Sequence, residues 1–390
     1  MIQRTLSRAI RQAAEKLPVI TVTGPRQSGK TTLVRTVFSE YGYYNLEYPD
    51  TREYAATDPR GFLQSAPQMI IDEVQRVPNL TSYMQGMVDE EKHPAQFVLT
   101  GGRHPASQNF SLAQSASQSL AGRSAIFHLL PLSVDELRAE GYTTNEYLPW
   151  LYRGFYPRLY DQNLAPDDWL PDYIQNYLER DVRQITQVQD LTTFQIFLKL
   201  CAGRTGQLLN MTSLANETGV DVKTVKSWVS VLEASYIVFL LRPHYRNYGK
   251  RVVKTPKLYF YDTGLACSLL GIKGPDQLNS HYLKGELFES FIITELQKWQ
   301  YNQGQRPADY FWRDNTGHEV DFLSERGEGV RIAEIKSGQT VRSDFFRGLD
   351  FYQKIATAQT TSYLIYGGDT SQNRSNYTVL SWADCTRLFV

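Results

Sequence analysis

Gly24 to Thr31 reads GPRQSGKT, and no other stretch constrains the fold as strongly. It satisfies G-x-x-x-x-G-K-[ST] at every fixed position. Ile20 to Thr23 before it is a short apolar, β-branched run, and the residues from Lys30 onward read as a helix. A strand, this loop and a helix in that order form the context that makes the pattern a P-loop. Gly24 and Gly29 let the backbone turn tightly, so that amide N–H groups converge on phosphate oxygens. The helix N-terminus adds partial positive charge at the same point. Lys30 is then expected to reach the β- and γ-phosphates of ATP, and the Thr31 hydroxyl to ligate Mg²⁺. Pro25, Arg26, Gln27, Ser28 and Thr32 complete the expected nucleotide loop.

Such a loop needs an acidic residue at the end of another buried strand. QMIIDEVQRVPNL supplies it: Met69 to Ile71 form the strand and Asp72 ends it. Asp72 is expected to hold Mg²⁺ through water, and Glu73 to polarise the attacking water. A third strand, AQFVLTG, places Thr100 at its carboxyl end, where ligands of parallel sheets sit. Thr100 reads equally as a residue that orients water and as one that merely closes the strand. Arg123 precedes a strand at Ala125–Leu129. It reads either as a finger reaching a neighbouring subunit's nucleotide or as the partner of a local acid. Ser133 and Glu136 make a capping box for the helix that follows.

The chain resembles the AAA-type P-loop ATPases, and within them a prokaryotic family of ATP-binding proteins with a C-terminal domain of restriction-endonuclease-like fold. The resemblance is carried by TGPRQSGKTTL, IIDEVQRVPNL, LTG, SLAGRSAIFHLLPLS, YLERDV, YFYDTGLACSLLG, GELFESFIITEL and EVDF…AEIKSG, in this order over most of the chain. One departure is Gly102 and Arg103, where a polar TGS-like turn is the family pattern; it bears on Thr100. The resemblance implies an α/β protein. Its parts would be an AAA-type core (1–135), a helical lid (136–205), a winged helix-turn-helix (206–275) and a PD-(D/E)xK nuclease-like domain (276–390). It also implies a homo-oligomer, such as a ring.

In the expected lid, WLPDYIQNYLERDVRQI has apolar residues at helical spacing, with Glu179, Arg180 and Asp181 on it. Arg180 reads as a nucleotide contact or as part of a salt-bridge network. Further on, a helix at Ser213–Glu217, a break at Gly219, a helix from Val222 to Ala234 and a hairpin outline the winged helix. Phe239 to Tyr261 holds Arg242, Arg246, Lys250, Arg251, Lys254 and Lys257 and no acid. Lys+Arg and Asp+Glu both number 41, so this is a local excess in a neutral chain. It fits contact with a nucleic-acid backbone, and equally a solvated wing on a protein-docking module.

In the last third, KGELFESFIITELQKW reads as a helix carrying Glu289 beside its apolar side. DYFWRD, EVDFLSE and Val330–Lys336 read as strands. Side chains alternate along a strand, so Glu334 and Lys336 share a face on which Asp321 can converge. Asp321 and Glu334, joined by Glu289, are candidate ligands of a second Mg²⁺ or Mn²⁺. Lys336 would activate water and stabilise phosphorane-like charge. Active cutting of nucleic acid and a non-cutting scaffold within an ATP-regulated interaction protein both fit this pattern, since fold does not fix function.

Cys201, Cys267 and Cys385 are too few and too far apart for a disulfide framework or zinc cluster, which points to a reducing cytoplasm. No apolar run reaches membrane-spanning length, so no membrane partner is expected. The N-terminal MIQRTLSRAIRQAAEKLP has an apolar face of Ile2, Leu6, Ala9 and Ala13, read as a helix packed on the first domain.

Overall fold

The computed structural model describes residues 2–90, 93–101, 120–178, 191–244, 253–327 and 329–390. Gly102 and Arg103, the lid residues Glu179, Arg180 and Asp181, and the basic residues Arg246, Lys250 and Arg251 lie outside the described residues.

The N-terminal third is a parallel sheet. Helix α1 (Ser7–Ala14) leads to β1 (Val19–Thr23), and α2 (Lys30–Val37) follows the P-loop. Next come β2 (Gly42–Asn45), α3 (Pro49–Thr57), α4 (Pro59–Gln64), β3 (Met69–Asp72), α5 (Leu80–Glu90), β4 (Phe97–Gly101) and β5 (Ser124–His128). The strand order is β2-β3-β4-β1-β5, parallel throughout. Strands β1, β3 and β4 are buried along their whole length, as continuous apolar runs between two helical layers should be. Helix α1 is shorter than its amphipathic pattern implies. Leu6 and Ile10 pack into the core with Leu33 and Val34, but residues 2–4 leave the helix. Arg4 explains this, because its buried guanidinium donates to the Ser28 and Leu130 carbonyls.

A helical segment follows: α6 (Val134–Ala139), α7 (Leu148–Arg153), α8 (Pro157–Asp161), α9 (Pro166–Tyr173) and α10 (Leu191–Ala202). Proline in the first turn presets the backbone of α7, α8 and α9. The Ser133–Glu136 capping box starts α6 with both of its hydrogen bonds made.

Strand β6 (Gln207–Leu208) precedes α11 (Met211–Thr218), which ends at Gly219 in the left-handed conformation. Asp221 caps α12 (Val222–Ala234). The buried side of α12 includes Trp228, whose ring meets Phe194 of α10 edge-on at 5.3 Å. Lys223, Lys226 and Ser227 face solvent. Strands β7 (Val238–Pro243) and β8 (Lys257–Phe260) form an antiparallel pair.

The chain continues through α13 (Thr263–Leu269), α14 (Pro275–Ser280), α15 (Lys284–Asn302), β9 (Asp309–Arg313), β10 (Glu319–Arg326) and β11 (Gly329–Lys336). Then come α16 (Arg347–Ile355), β12 (Gln359–Tyr366), β13 (Gln372–Arg374) and β14 (Tyr377–Ser381). All of these strands and the β6–β8 group make one nine-stranded sheet, ordered β13-β14-β12-β11-β10-β9-β7-β8-β6. The parallel pair β7–β9 joins Arg242 to Tyr310 and Pro243 to Phe311. The sheet therefore runs straight across the expected boundary at residues 275 and 276. One apolar core extends from Ile2 to Phe389 and includes the helical segment, α12 and α15.

Helix α15 is buried nearly all round, polar residues included. Glu295 accepts the Val134 N–H at 2.8 Å, and Lys298 donates to Glu295 at 2.7 Å and to the Leu132 carbonyl at 2.8 Å. The Lys298 ammonium lies 3.8 Å from the centre of the Phe155 ring. Breaking one side of such a pair leaves an uncompensated buried charge. Lys298→Met should therefore lose roughly 3 kcal/mol, seen as a lower urea midpoint by tryptophan fluorescence. Glu295→Gln combined with Lys298→Met should recover part of the loss. A wild-type midpoint for Lys298→Met would contradict this account.

Candidate functional site

The P-loop joins β1 to α2. Gly24 has φ 152°, and a Cβ there would collide with the Leu129 carbonyl oxygen. Gly29 caps α2 in the left-handed conformation. Ser28 is buried and its hydroxyl donates to the Pro25 carbonyl at 3.0 Å. Lys30 curls back over the loop and donates to the carbonyls of Gly24 (3.1 Å) and Pro25 (2.8 Å).

Asp72 gathers the polar groups beside the loop. Its Oδ2 accepts the Thr31 hydroxyl at 2.8 Å and the Tyr43 hydroxyl at 2.8 Å. Its Oδ1 accepts the Thr100 hydroxyl and, at 3.1 Å, the Glu73 N–H. Thr100, considered as a water-orienting group, is thus turned onto Asp72. Glu73 has φ 56°, unusual for a residue with a Cβ, and its carboxylate accepts from the Gln75 amide. Burial pushes the Glu73 carboxyl above its usual range, while Lys30 pulls it back. Thr31 and Asp72 offer the hard oxygen donors that suit Mg²⁺.

A cavity of about 700 Å³ opens over the loop. Arg26, Gln27, Ser28, Gly29, Lys30, Thr31 and Thr32 form its floor, with Glu73 beside them. Ile2, Arg11 and the α8 residues Pro157, Arg158 and Asp161 form its walls. Arg4 ties these parts together: besides Ser28 and Leu130 it binds Glu136 at 3.2 Å, the residue that caps α6. The Tyr173 hydroxyl donates to the Arg26 carbonyl at 3.4 Å. Neither Arg4 nor Tyr173 is marked in the sequence by any motif.

The second polar cluster lies on β10, β11 and α15. Lys336 donates to Asp321 at 3.1 Å and to Glu334 at 2.5 Å. A register shift in β10 between Val320 and Leu323 re-aims the backbone at Asp321, which also accepts the Ile335 N–H at 2.8 Å. Glu289 faces the same space but binds Lys257 at 2.8 Å and the Tyr259 hydroxyl at 2.5 Å. Lys257 also pairs with Glu319, which accepts from Arg313 at 3.0 Å. Oxygen atoms of Glu289, Glu319 and Asp321 lie within 4.8 Å of one another, a donor set that suits a hard divalent cation.

These charges shape one another. Burial pushes Glu289 up to about 7 against the pull of Lys257. Burial and the neighbouring Asp321 raise Glu334. Burial also opposes ionisation of Asp321, yet Lys336, Lys257 and the Ile335 N–H hold it below the usual carboxylate range. The cluster opens into a groove of about 1030 Å³ whose rim adds His318, Asp344 and Arg347. Gly348 of α16 presses on it so closely that a Cβ there would strike the Glu334 carboxylate.

Glu319 and Lys257 join this cluster without a motif that marks them. Glu319 lies two residues before Asp321, so strand alternation was a usable signal. Lys257 sits in a basic stretch of the sequence that suggests surface, yet it is buried; Arg242 and Lys254 are exposed. Arg123 pairs with Asp89 of the same chain, through Nε at 2.5 Å and Nη2 at 2.8 Å.

Residues 16–138 match the family model described as AAA domain. Residues 144–276 and 284–385 match two models, each described as a domain of unknown function (DUF8612 and DUF4143). Uncharacterized proteins of Mycobacterium tuberculosis and Mycobacterium bovis are each 32% identical to the chain over 349 residues, 87% of this chain and 76% of theirs. Among solved structures, a Walker-type ATPase of Pyrococcus abyssi is similar at 13% identity, over 69% of this chain and 96% of that one, with a TM-score of 0.42. The AAA match and the parallel sheet identify an AAA-type P-loop ATPase core.

If Glu73 is the base expected from the sequence, it must lose its proton to act, and its raised carboxyl fixes a sign. ATP hydrolysis should fall as pH drops through a limb above the ordinary glutamate value of 4.5. Glu73→Gln should lose most of the rate and that limb with it. A limb unchanged in Glu73→Gln would assign the titration to another group.

Proposed function

The chain belongs to the family of these two mycobacterial proteins, and from that premise we propose that it is a Mg²⁺-dependent ATPase whose ATP binding and hydrolysis act on a nucleic-acid-binding C-terminal module. The ATPase reading rests on one observation. Lys30, Thr31 and Glu73 line a single cavity, and Asp72 hydrogen-bonds Thr31 at its edge. Thr31 and Asp72 would hold Mg²⁺, which would supply charge neutralisation on the phosphates. Lys30 and the backbone N–H groups of Arg26 to Thr32 would bind the phosphate oxygens. Glu73 would orient and deprotonate the attacking water.

The helix pair α11–α12 with the β7–β8 hairpin is read as a winged helix, with Lys223, Lys226, Arg242 and Lys254 turned outward. The groove, lined by Lys336, Arg313, His318 and Arg347 together with the carboxylates of Glu286, Glu289, Glu319, Asp321, Glu334 and Asp344, is read as the active-site surface of a nuclease-like domain. In that domain Glu289, Asp321 and Glu334 would hold Mg²⁺ or Mn²⁺ beside Lys336. A second reading, a non-cutting scaffold, draws on Lys257 and Lys336, which already answer the carboxylates from within the protein. Arg123 lies near the surface with Asp89. That pair fits the local-acid reading, and a finger serving a neighbour's nucleotide in a homo-oligomeric ring would have to release Asp89 first. The working boundaries are 1–135, 136–205, 206–275 and 276–390. The buried free thiols of Cys201, Cys267 and Cys385 suit the cytoplasm.

Lys30→Ala should abolish phosphate release from ATP. Asp321→Ala should leave phosphate release intact and remove any Mn²⁺-dependent cutting across a panel of DNA and RNA substrates. Phosphate release by Lys30→Ala at the wild-type rate would sink the ATPase reading. Absence of cutting by the wild type on every substrate would leave the scaffold. Mixing Arg123→Ala with Lys30→Ala subunits should restore some activity if the finger acts in trans, and a fully active Arg123→Ala chain would exclude it.

A further inference from the structure

We infer that Tyr43 is a positioning residue of the nucleotide site, holding the Asp72 carboxylate in the orientation that Mg²⁺ requires. The inference rests on the reading of Asp72 as the acidic partner of the P-loop. Tyr43 comes from β2, the edge strand of the parallel sheet, which carries no other residue assigned to the site. Its hydroxyl donates to Asp72 Oδ2 at 2.8 Å. The register pairs Tyr43 with Ile70, two residues before Asp72, so the hydroxyl reaches along β3 to the carboxylate at its end.

The ring packs on the edge of an apolar core, and its outer side meets polar groups. The ring lies under the Arg35 guanidinium, 4.8 Å from its centre, and is only half-buried. Beside it a cavity of about 460 Å³ is lined by Thr31, Arg35, Phe38, Tyr41 and Tyr43. Tyr44, one residue on, points to the opposite face and serves packing. Its ring meets Phe62 edge-on at 5.3 Å, and its hydroxyl meets only Ser65 among the hydrogen bonds described.

The four donors around Asp72 divide between its two oxygens. Oδ1 is anchored by Thr100 and the Glu73 N–H, while Oδ2 is met by Thr31 and Tyr43. Thr31 is itself an oxygen donor suited to the cation. Tyr43 is therefore the group on Oδ2 whose part is to fix the carboxylate. Partners of this kind around metal-binding carboxylates are commonly worth about 10-fold or more in metal affinity.

The test is calorimetric titration of the full chain with ADP, once with Mg²⁺ and once with EDTA. The ratio of the two affinities isolates what the cation contributes. Tyr43→Phe keeps the ring and removes the donor. It should cut the ratio about 10-fold while leaving the affinity in EDTA and the melting temperature unchanged. Tyr44→Phe should leave the ratio as in the wild type. A wild-type ratio for Tyr43→Phe overturns the inference, and so does an equal loss in EDTA, which marks a general structural role. Asp72→Asn separates the two levels. If it collapses the ratio while Tyr43→Phe does not, only the role of Tyr43 fails. If Asp72→Asn also keeps the wild-type ratio, the nucleotide reading fails and the inference falls with it.

Discussion

Glu295 and Lys298, buried on α15, grip the backbone at Leu132 and Val134, and the relative placement of the two polar sites depends on that grip. Taking these charges out of water is costly. They are tolerated because each reaches a backbone group as well as the other. Leu132 and Ser133 stand where the parallel sheet gives way to α6, whose capping glutamate, Glu136, is held by Arg4 beneath the P-loop. Further along α15, the Tyr301 ring lies 5.1 Å from that of His128, at the end of β5. Toward its other end, Glu289 faces the C-terminal groove. A helix of 19 residues, roughly 28 Å long, thus touches both regions as one rigid element.

The two sites meet the same electrostatic difficulty in different ways. Asp72 is surrounded by hydroxyls and an N–H, neutral donors that keep it oriented without cancelling its charge. The C-terminal carboxylates are met by ammonium groups instead, Lys336 between Asp321 and Glu334, and Lys257 between Glu289 and Glu319. The first arrangement keeps a charge available for a cation. The second holds carboxylates together that would otherwise repel. Lys257 belongs to β8, so the hairpin next to α12 supplies a charge to the groove. The pairing of β7 with β9 fixes that hairpin in the same sheet.

Features written in local sequence were legible. The P-loop and Asp72 follow from short motifs. The capping box at Ser133 and Glu136 follows from capping chemistry, and the helix Val222–Ala234 from its apolar spacing. Features that depend on distant partners were not. Arg4 is 132 residues from Glu136, and its burial ends the N-terminal helical pattern early. Lys257 is 32 residues from Glu289, and charge alone made it look like surface. Strand β2, and with it Tyr43, has only four residues and no alternation of apolar and polar positions to mark it. The nine-stranded sheet rests on the β7–β9 contact, which no periodicity encodes.

The central claim is that nucleotide at the P-loop is felt at the C-terminal groove. Hydrogen–deuterium exchange of the full Glu73→Gln chain, with and without Mg²⁺ and ATP, measures this directly. The expected result is altered protection at the P-loop, in the segment 132–136, along α15 and at β10–β11. A change confined to the P-loop and its immediate walls, with α15 and the groove unaltered, would contradict the account.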